Sequence, residues 1–319
     1  MIRRFALTAA LLALAACSGE TASEDTDRET EEAQSEADGA QAGLAVAPPQ
    51  TLEEAVAGAW RSEAARARDG WRNPAETIEF CGVDPAGTVV EIWPGGGWYT
   101  DIIAPWIETR GGTYVAAWPP VDPANERAAA FQSRFLERFE TDLYGAATLI
   151  EFGPETGPMM NEQPADAILT FRNVHNWMAA GFAEKAFADF YAALKPGGVL
   201  CVVEHRLPSS RVQDPRAASG YVQQDYVVAL AEEAGFEFGA SSEINANPAD
   251  TADHPFGVWT LPPVSRTSDF GAPADPDFDR APYDAIGESD RMTLRFIKPE
   301  SAEAAPGAES VIEEDGEDR

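Results

Sequence analysis

The sequence predicts an α/β protein built on a doubly wound, mostly parallel sheet. About 250 residues lie between two acidic tails, which is enough for one large domain with a substantial core. Within them, short apolar segments alternate with segments of helical spacing, and three glycines follow the first apolar segment. Repeated strand–helix units form a parallel sheet with right-handed crossovers, and ligands bind at the carboxyl ends of its strands.

The first 17 residues have the pattern of an export signal. Arg3 and Arg4 precede an apolar run over residues 5–13, far shorter than the roughly 20 residues of a membrane-spanning helix. The run closes on LAAC, an ending that resembles the lipobox of bacterial lipoproteins. This resemblance implies lipidation of Cys17 and attachment to the cell envelope, with Ser18 favouring the outer membrane. The alternative is an ordinary secretory peptide.

Two acidic segments flank the expected domain. Residues 18–50 and 301–319 contain too few large apolar side chains to fold, so we expect a disordered tether and a disordered tail around a domain at 51–300. Much of the net charge of −31 lies in these segments. That charge argues against nucleic acid and anionic lipid head groups as partners.

The order of the predicted elements follows from their period and from proline and glycine boundaries. After a helical lead-in over residues 51–71 and a short helix at 75–80, strands are predicted at 88–92, 113–117, 147–152, 166–171, 199–203, 236–240 and 292–297. Helices are predicted at 99–108, 124–144, 182–194 and 221–234. The fifth strand is apolar throughout, which predicts burial on both faces.

A long insertion precedes the last strand. Residues 245–290 are rich in Pro, Asp and Gly, and such segments within compact domains are usually functional or disordered. Five aromatic side chains in it favour an ordered lid.

Two cysteines remain beside Cys17. Cys201 falls inside a predicted central strand, where a free thiol packs as a small hydrophobic group. A disulfide with Cys81 is compatible with an oxidising compartment, but nothing in the spacing supports it, so the redox state stays open.

The run from Val89 to Thr100 gives a strand, an acid, glycines and a helix start, in the order of a nucleotide site. Glycines adopt positive φ and let the backbone approach a ligand, while the helix offers unpaired N–H groups. A tight turn without a ligand would carry the same glycines, so the run alone leaves both interpretations open.

Five ordered segments make the chain resemble the class I S-adenosylmethionine-dependent methyltransferases. They are EIWPGGGWYT, DAILTFRNVHNW, LKPGGVLCVVEHR, NPADTADHPFGVWTLPP and GESDRMTLRFIKP. Closer still is the similarity to a group of bacterial exported proteins identified only as predicted methyltransferases. The resemblance implies a seven-stranded Rossmann-like sheet with an insertion before the last strand, and S-adenosyl-L-methionine as the cofactor.

The resemblance also assigns cofactor contacts to individual residues. Glu91 matches the acid that closes the first strand, and Gly95, Gly96 and Gly97 form the turn under the amino acid part of the cofactor. Asn173, just past the fourth strand, stands where the class places cofactor and substrate contacts.

Two positions depart from the class pattern. Trp93 replaces the usual first glycine, which puts a bulky ring beside the expected cofactor path. The second strand reaches Trp118 without the acid that binds both ribose hydroxyls, and Asp122, four residues later, is the expected substitute. Glu151 and Glu155 are both candidates for the acid after the third strand.

The chain has three histidines, and the topology puts each at the open end of the sheet or in its lid. A neutral His175 or His205 would serve as the general base of a methyl transfer to an O–H, N–H or S–H group. Alternatively, His175, His205 and His254 would hold zinc together with an acid, although no short HxH or HxxxH spacing supports a metal. Hydrogen bonding to loops is the third possibility.

Arginines leave the fourth and fifth strands beside these histidines. Arg172 follows the fourth strand, and Arg206 follows Glu204 and His205 at the end of the fifth. An acidic or phosphate-bearing substrate is therefore compatible with the site despite the negative net charge, because local geometry fixes binding. We expect Arg172 to act beside the two histidines.

The first interpretation is thus a lipid-anchored methyltransferase of the cell envelope that acts on a small molecule. Supply is its difficulty, since the cofactor is made in the cytosol. The alternatives keep the fold without methyl transfer: an exported ligand-binding protein, a metal-dependent protein, or an envelope scaffold with a vestigial crevice.

Overall fold

A central sheet organises the structure, a computed structural model that describes residues 47–160 and 163–300. The expected signal peptide with Cys17, the tether up to residue 46 and the tail at 301–319 lie outside these described residues. The strands are β1 (Thr88–Ile92), β2 (Thr113–Trp118), β3 (Thr148–Glu151), β4 (Ala165–Phe171), β5 (Leu194–Leu207), β6 (Val222–Gln223), β7 (Glu237–Ser242) and β8 (Arg291–Ile297).

Seven strands lie side by side in the order β3-β2-β1-β4-β5-β8-β7, and the short β6 pairs with the end of β5. The first five of that order are parallel to one another. β8 runs antiparallel to both of its neighbours. The predicted mostly parallel α/β sheet, with its insertion before the last strand, is confirmed.

Helices cover both faces of the sheet. They are α1 (Leu52–Val56), α2 (Glu63–Arg66), α3 (Asp69–Arg72), α4 (Pro74–Cys81), α5 (Thr100–Arg110), α6 (Glu126–Leu136), α7 (Val174–Ala180), α8 (Ala183–Ala193), α9 (Gln224–Glu233) and α10 (Ala281–Ile286). Successive strand residues point to opposite faces, so Val89 packs with α1, α4, α5 and α6. Val90 packs with α7, α8 and α9. The sheet is therefore doubly wound.

Local capping explains where the helices differ from the prediction. The helical lead-in is three short helices, because the side chains of Thr51 and Ser62 accept backbone N–H groups and start new helices. The helix predicted to reach residue 144 ends at Leu136 and tightens into a 3-10 turn over Glu137–Glu140. α7 was not predicted, because its polar N-terminal residues resemble a turn.

A disulfide joins α4 to the middle of β5. The sulfur atoms of Cys81 and Cys201 are 2.01 Å apart, and both residues are fully buried. The redox state that the sequence left open is therefore the oxidised one. The bond links residues 120 positions apart and fixes the N-terminal helices to the sheet.

The insertion between β7 and β8 contains a 3-10 turn over Gly257–Thr260 and the short α10. Its aromatic side chains pack on one another, with Phe278 between Phe256 and Tyr283 at centroid distances of 5.4 Å. The insertion is therefore ordered, as the aromatic residues predicted. Across the described part of the chain, no helix combines the length and the apolar character needed to cross a membrane.

Candidate functional site

The turn between β1 and α5 has a backbone that only glycine adopts readily. Gly95 and Gly97 have φ values of 57° and 86°. A Cβ atom on Gly97 would lie 2.9 Å from the guanidinium carbon of Arg138, and Nη2 of Arg138 donates to the carbonyl of Gly96. The approach of Arg138 therefore requires glycine at position 97 independently of any ligand.

Glu91 is buried and stabilises this turn from within the sheet. Its Oε2 accepts hydrogen bonds from the hydroxyls of Thr100 at 2.8 Å and Tyr114 at 2.7 Å. Burial raises the pKa of Glu91 to about 7, although the hydrogen bonds from Tyr114 and Thr100 act in the opposite direction. Glu91 thus ties β1 to β2 and to the first residue of α5. Direct contact with a cofactor stays a prediction.

Trp93 has a φ of 46°, which is rare for a bulky residue. Its ring packs against those of Phe152, Trp177 and Phe182 at centroid distances of 6.1, 6.1 and 5.9 Å. Nε1 of Trp93 donates to the Phe152 carbonyl at 3.0 Å. The Trp93 ring is thus half-buried among aromatic side chains, on the face of the sheet that α7, α8 and α9 cover.

The end of β2 carries no acid. Trp118, its last residue, is buried against Phe135 of α6 at a ring distance of 4.6 Å. Asp122 is exposed, and its Oδ1 accepts the backbone N–H of Ala124 at 2.8 Å in the turn that precedes α6. Glu151 ends β3 in register with Trp118 and is also exposed. A ribose contact from Asp122 stays a prediction.

Asn173 connects the ends of β4 and β1. Its side chain is nearly buried, and Nδ2 donates to the Ile92 carbonyl at 2.9 Å and to the Thr170 hydroxyl at 3.2 Å. This residue therefore sets the spacing of the two strand ends beside the glycine turn. A role in cofactor binding would use its amide oxygen.

His175 and Glu204 form a buried dyad at the carboxyl ends of β4 and β5. Nδ1 of His175 lies 3.0 Å from Oε1 of Glu204. The carboxylate also accepts the backbone N–H groups of Val174 at 2.6 Å, His175 at 3.3 Å and His205 at 2.7 Å. Because the carboxylate already accepts three N–H groups, Nδ1 of His175 is the donor and Nε2 carries the lone pair. Nε2 has no hydrogen-bond partner among the described residues.

His205 lies beside the dyad, with its ring centroid 5.4 Å from that of His175. Its Nδ1 is 2.6 Å from the hydroxyl of Ser289. Burial above all, and then the nearby cations Arg172 and Arg291, hold the pKa of His205 well below its usual value. His205 is therefore neutral at physiological pH. Both histidines that the sequence marks as catalytic are brought together here.

His254 belongs to a different hydrogen-bond network. Its Nε2 is 2.7 Å from Oδ1 of Asp250, which also accepts from the hydroxyl of Tyr221 at 3.1 Å. The other oxygen of Asp250 accepts the N–H of Asp290 at 2.8 Å. The network fixes the insertion to the sheet. Trp259, which belongs to the insertion, has its ring centroid 6.1 Å from that of His175. His254 thus has a structural partner, unlike Nε2 of His175.

Arg172 has a φ of 64° and a half-buried side chain at the end of β4. Its guanidinium makes no hydrogen bond or ion pair within residues 47–160 and 163–300. Burial lowers the pKa of Arg172 to about 10, with Arg68 and Arg291 lowering it further and Glu288 opposing them. Arg172, which we expect to act beside the histidines, is therefore a cation without an ion-pair partner among the described residues.

Arg206 differs from Arg172. Its guanidinium forms ion pairs with Glu243 at 2.7 Å and Asp290 at 2.9 Å, and these hydrogen bonds raise its pKa above the usual value. Two carboxylates already neutralise it. The expectation that Arg206 joins Arg172 in binding an anion is therefore wrong.

The donor atoms of His175, Glu204 and His205 lie within 4.8 Å of one another, close enough to surround a metal ion. However, both oxygens of Glu204 and Nδ1 of each histidine are engaged in hydrogen bonds. Binding a metal ion would cost Glu204 hydrogen bonds, whereas Nε2 of each histidine would remain available to it.

Several site residues were missed by sequence reasoning. Arg68 and Arg72 come from the N-terminal helices, whereas Glu288, Ser289 and Arg291 come from the end of the insertion. The last three stand in the segment GESDRMTLRFIKP, whose resemblance to the family was the available signal. Nothing in the sequence connects them to arginines more than 200 positions away.

Among known proteins, the chain is similar to solved structures, at low sequence identity. No protein-family profile matches it, and no curated protein matches it. The cyclase SpnF shares 15% identity with a TM-score of 0.47, over 81% of this chain and 99% of that one. The glycopeptide N-methyltransferase MtfA shares 14% identity with a TM-score of 0.45, over 72% and 91% of the two chains.

A SAM-dependent methyltransferase from Aquifex aeolicus shares 15% identity with a TM-score of 0.43, over 56% of this chain and 87% of that one. The sheet has five adjacent parallel strands, and the antiparallel β8 lies between β5 and β7. By this strand order, the chain has a Rossmann-like, doubly wound α/β fold.

Proposed function

We propose that this protein is an exported, lipid-anchored S-adenosylmethionine-dependent methyltransferase that acts on a small molecule. The observation that carries the proposal is the dyad of Glu204 and His175, at the strand ends next to the glycine turn. In a parallel α/β sheet this edge is the place where ligands bind.

The residues at this edge fit the cofactor. Gly95 and Gly97 bring a positive-φ backbone without side chains to the end of β1, and Trp93 is packed among other rings. Gly95, Gly97 and Asn173 would hold the cofactor, which supplies an electrophilic methyl group when bound. The exposed Asp122 is the remaining candidate for the ribose hydroxyls.

The dyad supplies the proton chemistry that methyl transfer to an O–H, N–H or S–H group needs. Nε2 of His175 would accept the proton that the acceptor group loses on methylation, in which the methyl group leaves the sulfonium sulfur of the cofactor. Glu204 holds the ring orientation through Nδ1 and stabilises the positive charge that develops on it. Burial of the dyad, with Trp259 beside it, excludes water from the proton transfer.

Export is supported by two independent observations. The N-terminal sequence ends its apolar run in LAAC, and the buried Cys81–Cys201 disulfide is of the kind that persists in oxidising compartments. We expect the wild-type chain to sediment with the membrane fraction and Cys17→Ser to lose this attachment. Equal membrane binding by both chains would contradict a lipid anchor at Cys17.

A metal-dependent reaction is the second candidate, favoured by the three donor atoms within 4.8 Å at His175, Glu204 and His205. Such a site would require the Glu204 carboxylate to give up hydrogen bonds that it accepts from backbone N–H groups. Zinc is therefore included as an arm of the deciding experiment.

The deciding experiment is thermal unfolding of the full chain with S-adenosylhomocysteine or zinc. A ligand at 100 times its dissociation constant adds about 2.7 kcal/mol, which raises the unfolding temperature of a chain of this size by roughly 5 to 10 °C. We expect this rise with S-adenosylhomocysteine, together with label transfer from methyl-labelled cofactor to envelope small molecules. A rise with zinc alone, lost in His175→Ala, would favour the metal-dependent reaction.

A matched glycine pair provides the control. Gly97 and Gly111 have φ values of 86° and 74°, so alanine causes similar backbone strain at both. A Cβ atom at position 111 meets nothing within 4 Å, whereas one at position 97 meets Arg138 at 2.9 Å. Gly97→Ala should lose the response to S-adenosylhomocysteine and Gly111→Ala should keep it. Equal responses would contradict a cofactor site at the glycine turn.

A further inference from the structure

Three arginines pair with a single buried carboxylate near the dyad, and Arg172, unpaired among the described residues, lies close enough to influence the pKa of that carboxylate. The arginine cluster comprises Arg68, Arg72, Arg172 and Arg291, and Glu288 lies among them. Glu288 accepts from Nε of Arg68 at 2.8 Å, Nε of Arg72 at 2.9 Å and Nη1 of Arg291 at 2.8 Å. Glu288 and Arg291 are each 3% exposed, and Arg72 is fully buried. Three guanidinium groups therefore pair with one buried carboxylate.

Donor groups in the arginine cluster are left without acceptors. Nη1 and Nη2 of Arg72, Nη2 of Arg68 and Nε of Arg291 are buried and make no hydrogen bond. Arg72 lies over the ring of Trp98 at 4.6 Å, which stabilises its charge but accepts none of its hydrogens in the plane of the guanidinium. Unpaired buried donors are costly in folded proteins, so these groups are available to donate hydrogen bonds to an anion.

Arg172, the fourth member of the arginine cluster, lies at the end of β4. A residue with a side chain at a φ of 64° is strained, and such strain concentrates at functional sites. Its guanidinium is near enough to Tyr99, His205 and Glu288 to influence the pKa of each. Burial would raise the pKa of Glu288, but Arg291, Arg68 and Arg172 outweigh it and lower that pKa.

The arginine cluster adjoins the proposed base. Arg291 pairs in register with His205 across β8 and β5, and the backbone N–H of Arg172 donates to the Val203 carbonyl at 2.7 Å, one residue before Glu204. An anion bound by these arginines would thus lie beside His205 and the dyad. His205 itself adds no charge, because it is neutral.

We infer that the arginine cluster binds a carboxylate or phosphate group of the acceptor substrate, with Arg172 as its main ligand. The role of the anion as part of an acceptor rests on the proposed function. The anion-binding site itself does not depend on it. The planar, forked guanidinium matches both kinds of oxyanion. The substrate is thus a small acid, despite the net charge of −31.

The experiment compares anion binding by the full chain and two arginine variants. Inorganic phosphate and succinate are titrated against chloride at matched ionic strength, with the unfolding temperature as readout. At ten times the dissociation constant we expect a rise of about 3 to 6 °C in the wild-type chain. Arg172→Gly should lose this rise while folding at least as well, because glycine relieves the positive φ.

Arg206→Gln is the matched control, because Arg206 lies near the same strand ends but is neutralised by Glu243 and Asp290. It should keep the response to phosphate or succinate. Absence of any response in the wild-type chain, or an equal response in Arg172→Gly, would overturn the inference.

A second comparison separates acceptor binding from cofactor binding. S-adenosylhomocysteine carries an amino acid carboxylate, whereas 5′-methylthioadenosine lacks it. If Arg172→Gly weakened binding of the first at least tenfold and not of the second, the cluster would serve the cofactor and the acceptor assignment would fall. If neither adenosyl ligand bound the wild-type chain but the anion response still required Arg172, the methyltransferase proposal would fail while the anion site stood.

Discussion

Nδ1 of His175 lies 3.0 Å from Oε1 of Glu204, at the ends of two adjacent parallel strands. Removing the base in His175→Gln should lower the rate of methyl transfer about 10²- to 10⁴-fold, the usual contribution of a general base. Glu204→Gln should lower it as well, because the neutral amide does not stabilise the positive charge that develops on the ring. Initial rates with labelled cofactor measure both effects.

The tautomer itself gives a readout that needs no substrate. In ¹⁵N NMR spectra of histidine-labelled protein, His175 should carry its hydrogen on Nδ1, and Glu204→Gln should change that signal. His254→Gln is the control, since His254 bonds to Asp250 in the separate network. A loss of transfer in His254→Gln as large as in His175→Gln would contradict the assigned roles.

Glu91 predicts a pH dependence of folding stability. Its folded pKa of about 7 exceeds the ordinary value of 4.5, so above pH 4.5 the unfolded chain releases a proton that the folded chain keeps. The free energy of unfolding should therefore fall by up to about 1.4 kcal/mol per pH unit between pH 4.5 and 7, and level off above. Urea unfolding at several pH values measures it.

Glu91→Gln isolates this contribution. The amide oxygen still accepts from Thr100 and Tyr114 but does not ionise, so the stability of the variant relative to wild type should increase across that pH interval. A difference between the two proteins that does not change with pH would show that Glu91 titrates normally.

The disulfide should contribute a large part of the folding free energy. Opening a bond between residues 120 positions apart frees a long loop in the unfolded chain, and losses of about 2 to 5 kcal/mol are typical. We expect Cys81→Ala/Cys201→Ala to unfold at correspondingly lower urea concentration, and intact mass to show two hydrogens fewer in the wild-type chain than in its reduced form. Equal midpoints would contradict a stabilising bond.

Glu288 should be the most sensitive position of the arginine cluster. Glu288→Gln leaves Arg68, Arg72 and Arg291 without their carboxylate, and breaking a buried ion pair typically costs about 3 to 5 kcal/mol. Because phosphate would replace the missing charge, its effect on unfolding temperature should be larger in Glu288→Gln than in wild type. A smaller effect would indicate that the anion does not reach these arginines.

Much of the fold was predictable because it depends on local pattern. The bounds of β1 were predicted to the residue, since the mostly apolar run TVVEI is closed by Trp93, Pro94 and three glycines. The prediction placed the end of α6 too late, because the helical period continues through residues that form a 3-10 turn. The paired state of Cys81 and Cys201 depends on how α4 packs on β5, which no local pattern records.

Site residues were predictable from the sequence only where they lie at the ends of predicted strands. His175, His205 and Arg172 follow strands that the sequence defines, and a parallel sheet brings such ends together. The true partners of Arg206 lie in loops around β7 and β8, so its neutralisation was invisible. Arg68 and Arg72 were invisible for the same reason, because their partner is fixed only by tertiary packing.

The ion pairs of Glu288 join residues 216 and 220 positions apart, from opposite ends of the domain. During synthesis, Arg68 and Arg72 emerge long before the carboxylate that they need, and Arg291 emerges after it. A chain that stops within the insertion, before residue 288, contains Arg68, Arg72 and Arg172 but lacks Glu288. The ability to hold an acid is thus a property that the nascent chain acquires last, when almost all of the domain has been made.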